Sequence, residues 1–358
     1  MEPAIAENPH YKTGNLHPIE KKSGLLDLFY NDIAIDLGTA NTLISSKRNG
    51  IVLREPSIVA FNTEGIPVSI GQEAWFMHEK THSKLRTVRP LRDGVIADFE
   101  AAEHMIRGMI KSVKKNWYST TRQIVICVPS GITDVEKRAV RDSAENAGAK
   151  EVYLVEEPMA AAIGVGLNVH EPEGHMIVDI GGGTTEIAVI ALSGIVHSQS
   201  VRLAGDKLND DIISHFRRTH NLLIGERTAE KIKCEIGSAA PLEQEIEMDI
   251  KGRDLVNGIP KTIHITSADV REAISISVNA IVEAIVKSLE KTPPELSADI
   301  LDRGIILAGG GALLKNLDRR ITEMTDLPVH IAEDPLTAVV RGTGAVLDNL
   351  DYYKAVVS

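Results

Sequence analysis

The chain has 358 residues, 43% of them apolar and 25% charged. That is an ordinary globular composition, and the length exceeds what one hydrophobic core organises, so roughly two domains are expected. The formal charge of -11 excludes a general nucleic-acid binder, whose surface must be basic enough to displace counterions, and no stretch reaches the ~20 continuous apolar residues of a membrane span.

Residues 1 to 22 are polar, contain Pro3, Pro9 and Pro18, and read as a disordered tail, not a signal peptide. Lys21 and Lys22 lead into Gly24-Leu25-Leu26-Asp27-Leu28-Phe29-Tyr30. This is either an element packed on the core or an interfacial anchor. In the second case Leu25, Leu26, Leu28 and Phe29 enter a bilayer surface while the lysines meet anionic headgroups. One copy binds weakly; many copies on a polymer bind through avidity.

The next motif occurs twice. Asp36-Leu37-Gly38-Thr39-Ala40-Asn41-Thr42 follows the apolar Ile33-Ala34-Ile35, and Asp179-Ile180-Gly181-Gly182-Gly183-Thr184-Thr185 follows Met176-Ile177-Val178. Each reads as strand, tight turn, strand. Glycines let backbone N–H groups approach a ligand closely, which cradles phosphate without a cationic side chain. Two such hairpins predict facing turns on two lobes that clamp one polyphosphate.

Strands are expected around residues 33–36, 42–46, 51–53, 57–61, 124–128, 152–155, 176–179, 185–191, 195–203, 304–308 and 329–331. Asn116-Trp117-Tyr118-Ser119-Thr120, beside Lys114 and Lys115, is a polar turn with adjacent aromatics, suited to a water–lipid interface or else to the core. Thr133 and Glu136 form a capping box for a helix over residues 135–147, with Gly148 at a left-handed C-cap. Its stripe of Val135, Ala139, Val140, Ala144 and Ala147 should face inward. Cys127 and Cys234 are the only cysteines, and both read as buried, reduced thiols of a cytosolic protein.

Residues 206–265 are acidic and less periodic and read as an insertion, not central sheet. A helix then starts near Thr266-Ser267 and runs through Val270, Ile274, Val278, Ile281, Ile285 and Leu289 until Pro293-Pro294 stops it. A third glycine cluster, Ala308-Gly309-Gly310-Gly311-Ala312-Leu313, follows an apolar strand and opens a helix; alone it is equally a close-packing turn. Rossmann spacing is absent, and no Gly-Lys-Ser/Thr exists to make a P-loop. Phosphate charge must then be met by backbone amides and a metal. The whole reads as α/β alternation with mixed sheets.

The two Asp-Gly-Thr hairpins with Leu307-Ala308-Gly309-Gly310-Gly311 resemble the actin, heat-shock chaperone and sugar kinase ATPase superfamily. Finer wording is similar to the MreB family of bacterial actins: Ile35-Asp36-Leu37-Gly38-Thr39-Ala40-Asn41-Thr42, Gly94-Val95-Ile96-Ala97-Asp98-Phe99, Glu156-Glu157-Pro158-Met159-Ala160-Ala161-Ala162, Ile224-Gly225-Glu226-Arg227-Thr228-Ala229-Glu230 and Lys291-Thr292-Pro293-Pro294-Glu295-Leu296. The likeness covers about residues 32–350. The tail is longer than the family's usual leader, and Ala74-Trp75-Phe76-Met77-His78 is more aromatic.

The resemblance implies an actin-like ATPase fold of two duplicated lobes with mixed five-stranded sheets and inserted subdomains. Residues 1–31 would be the tail with its membrane segment. Subdomain IA would take residues 32–53, 93–166 and 335–358, IB residues 54–92, IIA residues 167–205 and 266–334, and IIB residues 206–265. ATP would be bound by Gly38, Thr39, Ala40, Asn41, Gly181, Gly182, Gly183 and Thr184 on its phosphates, and by Glu230, Lys233, Gly310, Gly311, Ala312 and Leu313 near adenosine. From spacing alone Glu230 and Lys233 are equally a solvated helix pair. Asp36 and Asp179 would hold Mg²⁺ through water, their alternative being turn capping.

By the same resemblance, Glu157 would orient the attacking water with help from Thr184, Glu156 being the confounder. The resemblance further implies membrane-associated homopolymer filaments with paired protofilaments. Leu25, Leu26, Leu28, Phe29, Trp117 and Tyr118 would meet the anionic inner face of the plasma membrane. The filaments would be cytoplasmic and peripheral, organise peptidoglycan synthesis with cell-wall elongation membrane proteins, and have no nucleic-acid partner. A non-polymerising small-molecule kinase of the same superfamily is the alternative. A chaperone is disfavoured because the chain ends soon after Val339, leaving no room for a peptide-binding domain.

Overall fold

The computed structural model describes residues 32–47, 49–80, 83–113 and 121–358. The segment with Leu25, Leu26, Leu28 and Phe29 and the turn with Trp117 and Tyr118 lie outside the described residues.

In the first lobe β1 (Ile33–Leu37), β2 (Asn41–Ser46) and β3 (Gly50–Pro56) form an antiparallel meander. A small sheet of β4 (Val59–Asn62), β5 (Pro67–Ile70) and β6 (Leu85–Val88) follows, with α1 (Gly71–Met77) between β5 and β6. The hairpin β7 (Leu91–Arg92) and β8 (Val95–Ile96) leads through α2 (Phe99–Val113) to β9 (Gln123–Val128), α3 (Asp134–Asn146), β10 (Glu151–Glu156) and α4 (Glu157–Gly164). β9 pairs parallel to β1 and to β10, so the sheet order is β10-β9-β1-β2-β3.

The second lobe repeats the plan. β11 (His175–Ile180), β12 (Thr185–Ala191) and β13 (Gly194–Val201) are its meander. The segment read as an insertion is an ordered unit of α5 (Gly205–Thr219), β14 (Leu222–Leu223), α6 (Glu226–Ile236), β15 (Glu247–Asp254) and β16 (Pro260–Thr266), its three strands forming a separate sheet. α7 (Ser267–Glu290), α8 (Pro294–Arg303), β17 (Ile305–Ala308), α9 (Leu317–Thr325), β18 (Val329–Ile331) and α10 (Ala338–Asp348) complete the chain's main elements. The order β18-β17-β11-β12-β13, with parallel and antiparallel pairs in the same places, duplicates the first sheet.

Side chains alternate across each strand, and the central strands of the two large sheets, β2, β9, β11, β12 and β17, are buried on both faces. Ile33, Ile35 and Leu37 of β1 face an outer core with Met105 and Met109 of α2, whereas Ala34 faces the other way. In β11, Met176, Val178 and Ile180 join the outer core of the second lobe and Ile177 faces inward. The inner faces share a core with α4 and α10, including Met159, Ala162, Ala188 and Val346. Asp36 and Asp179 therefore fall on the inner faces at the strands' carboxyl ends, where a doubly wound sheet opens its ligand crevice.

α3 has the capping box at Thr133 and Glu136 and a positive φ of 103° at Gly148. Val135, however, is 73% exposed. It lies five residues from Val140, about 140° around the helix, and so leaves the buried stripe. The third glycine cluster opens only a 3₁₀ turn, Gly310–Leu313, and α9 starts later, at Leu317. Pro293-Pro294 ends α7 as expected, but Pro294 also begins α8, because proline suits the first helical turn. Among the described residues no helix is long and apolar enough to cross a membrane.

Candidate functional site

The two glycine turns touch. A Cβ on Gly182 would stand 2.6 Å from the Ala40 Cβ, and one on Gly183 would stand 2.7 Å from Thr39 Oγ1 and 2.9 Å from the Asp93 nitrogen. Only glycine permits that approach. The third cluster is equally tight against β11: Cβ atoms on Gly309 and Gly311 would lie 2.3 Å from Asp179 Oδ1 and 2.2 Å from Ile180 Cγ2, and Gly309 has a φ of 77°.

A cavity of about 400 Å³ lies among these three turns. Its wall contains Asp36, Gly38, Thr39, Ala40, Asn41, Glu157, Asp179, Gly181, Gly182, Gly183, Thr184, Glu230, Lys233, Gly310, Gly311 and Leu313, all expected from the sequence. Ala312 is not on the wall, because its methyl is buried in the core of the second lobe. Glu157, the first residue of α4, lines the cavity and Glu156, the last of β10, does not.

Arg54, Asp206 and Cys234 line the cavity without having been anticipated. Cys234 is exposed as a residue, not buried; its thiol donates to Glu230 Oε1 at 3.3 Å, and the partial shielding of the sulfur from water together with the Glu230 charge pushes its pKa to about 11. Cys127 is buried as expected. Arg54 is placed by register: Asp36 pairs with Leu43 and Leu43 with Arg54, so the three side chains share the inner face. In the second sheet the same row runs Asp179, Glu186, Ser200.

Glu186 is a further group missed from the sequence. It is 1% exposed, and its Oε1 accepts from Ser200 Oγ at 2.6 Å. The available signal was an acid in the otherwise apolar strand Thr185–Ala191.

Burial raises the Asp36 pKa to about 7, and burial plus the Asp36 charge raises Asp179 to about 7. Burial also lifts Glu186 to about 7. Glu157 is pushed well above the carboxylate range, first by burial and then by Glu186, Asp179 and Asp36. Such a set of desolvated acids suits a divalent cation. Among the described residues no three His, Cys, Asp or Glu groups form a cage. Asp36 and Asp179, two buried carboxyls on the wall of one cavity, fit Mg²⁺, which keeps most of its waters and needs one or two carboxylates beside phosphate oxygens. At the opposite end Lys233 Nζ donates to Glu230 Oε2 at 2.7 Å and to the Gly205 carbonyl at 3.0 Å, while Asn209 Nδ2 donates to Glu230 Oε2 at 2.7 Å. Burial raises Glu230, but the Lys233 charge and these hydrogen bonds outweigh it and hold the carboxyl below its ordinary value.

Residues 30–355 match the family model described as MreB/Mbl protein. The chain is 50% identical over 332 residues to the cell shape-determining protein MreB of Escherichia coli strain K12, covering 91% of this chain and 96% of that one. A crystal structure of MreB5 of Spiroplasma citri bound to AMPPNP superimposes with a TM-score of 0.85 at 39% identity, over 90% of this chain and 97% of that chain. The MamK double helical filament gives a TM-score of 0.74 at 25% identity, over 88% of this chain and 98% of that chain. The duplicated sheets, the expected motifs and these likenesses agree, and the chain belongs to the MreB/Mbl family of actin-like, cell shape-determining proteins.

Proposed function

We propose that the chain is an ATPase that binds ATP with Mg²⁺ between its lobes and polymerises into paired protofilaments on the anionic inner face of the plasma membrane, where it organises peptidoglycan synthesis with cell-wall elongation membrane proteins. The observation that carries this reading is the pair of touching glycine turns on a cavity crowded with uncompensated carboxyls. AMPPNP bound to the related MreB5 and the filament formed by MamK support it.

Backbone amides of residues 38–41 and 181–184 hold the phosphates, and Glu230, Lys233, Gly310, Gly311 and Leu313 hold the adenosine. Asp36 and Asp179 hold the cation through water. Mg²⁺, when bound, supplies the positive charge that offsets the phosphates and the neighbouring carboxylates. Glu157 orients water in line with the terminal phosphate, with the Thr184 hydroxyl beside it. Residues 54–92 and 206–265, which carry the two small sheets, act as subdomains IB and IIB, flanking the cleft from IA and IIA.

Electron microscopy of the purified protein with Mg-ATP and anionic liposomes, with ADP as control, tests the reading. Filaments lying on lipid are expected, and Glu157→Ala should retain nucleotide while phosphate release stops. ATP turnover by monomers under every condition would replace this reading with the non-polymerising kinase.

A further inference from the structure

One arginine joins the lobes across the cleft. Arg89 follows β6 in the first lobe, and its side chain is 16% exposed. Its Nη2 donates to Asp206 Oδ2 at 2.8 Å and to the Thr39 carbonyl at 3.4 Å, and its Nη1 donates to Glu226 Oε1 at 2.6 Å. Thr39 belongs to the first glycine turn, whereas Asp206 and Glu226 stand in the first turns of α5 and α6.

The same helix end is met twice more from the first lobe. His78 Nε2 lies 3.3 Å from Glu226 Oε2, and Glu79 Oε1 accepts from the Glu226 nitrogen at 2.9 Å. A Cβ on Gly225 would come 2.6 Å from Glu79 Oε2, so glycine is what lets this carboxylate close on the helix start.

We propose that Arg89 is a positioning residue, the clasp of the cleft, which ties the first glycine turn to α5 and α6 and sets how fast nucleotide leaves. This rests on nucleotide occupying the cavity. A guanidinium suits the task because its planar fork reaches two carboxylates and a carbonyl at once, as an ammonium point charge does not. Asp206 and Glu226 travel with the second lobe and Thr39 with the first. Opening therefore breaks two charge-assisted hydrogen bonds in a partly dehydrated place, where they are strongest.

The test is release of a fluorescent ATP analogue loaded with Mg²⁺ and chased with excess unlabelled ATP, in protein dilute enough to stay unassembled. Wild type, Arg89→Gln, Glu226→Gln and the double variant are compared, with circular dichroism verifying the fold. Release from Arg89→Gln should be about tenfold faster, the scale of one lost hydrogen bond between charged groups, with a smaller rise for Glu226→Gln. The double variant should be slower than the product of the two single effects, because the Arg89–Glu226 bond is lost in both. Wild-type release rates in the variants, or strictly multiplicative effects, would overturn the clasp. Failure of the wild type to bind the analogue would instead overturn the nucleotide reading on which the clasp rests. If Arg89→Gln fails to fold, Glu226→Gln alone decides between faster and unchanged release.

Discussion

Asp179 is 6% exposed. Burial and the charge of Asp36 together lift its pKa from 3.8 to about 7. The empty folded protein thus binds a proton there that the unfolded chain, above about pH 4, does not. This group's contribution to stability is complete below its unfolded pKa and is lost as pH rises through about 7. Asp179→Asn removes the penalty. In urea unfolding at pH 8 the empty variant should be more stable than wild type by about 1–3 kcal/mol, with the difference vanishing near pH 4. Equal stability at pH 8 would show that solvent already reaches the carboxylate. The site thus carries a cost in the empty protein that a cation relieves, an arrangement common where ligand binding sets a group's working charge.

α4 and α10 cross between the sheets at two glycines. A Cβ on Gly342 would lie 1.7 Å from the Ala160 carbonyl oxygen, and one on Gly164 would lie 1.8 Å from the Ala338 carbonyl oxygen. The obstacle is backbone, so no side-chain rotation relieves it and the helices must separate. Gly342→Ala should cost about 2 kcal/mol or more, read as a lower urea midpoint. An unchanged midpoint would mean that the crossing slides freely. The helix starts are elements that local chemistry made legible: Thr133 with Glu136 and Thr266 with Asp269 each form reciprocal caps. β5, β6 and β14 were less legible, since they are two to four residues long and their alternation is too brief to separate from loop.

As a whole the molecule is two copies of one sheet plan held by a shared inner core, with a cleft at their carboxyl ends. In the proposed filament many copies align, so a weak contact of Leu25, Leu26, Leu28 and Phe29 with lipid would be multiplied. Deleting residues 1–31, or replacing Trp117 and Tyr118 by serine, should reduce co-sedimentation with anionic liposomes severalfold while ATP binding is kept. Unchanged pelleting in both would assign membrane attachment to another surface.

Part of the cavity wall was named from the family resemblance, Glu157, Glu230 and Lys233 among it, whereas the duplicated turns and the helix starts were legible in the residues themselves. They depend on interactions between residues a few positions apart: alternation along a strand, glycine at a turn, a hydroxyl and a carboxyl at a helix start. Tertiary structure alone decided that Arg54 and Cys234 reach the cavity, that Ala312 is turned from it, that Glu186 stands buried beside Glu157, and that Arg89 meets Asp206 and Glu226. Those contacts join residues from 11 to 137 positions apart or depend on which face packs first. No local period encodes them, because the register between distant strands and the closeness of two lobes are set by the packing of the entire inner core.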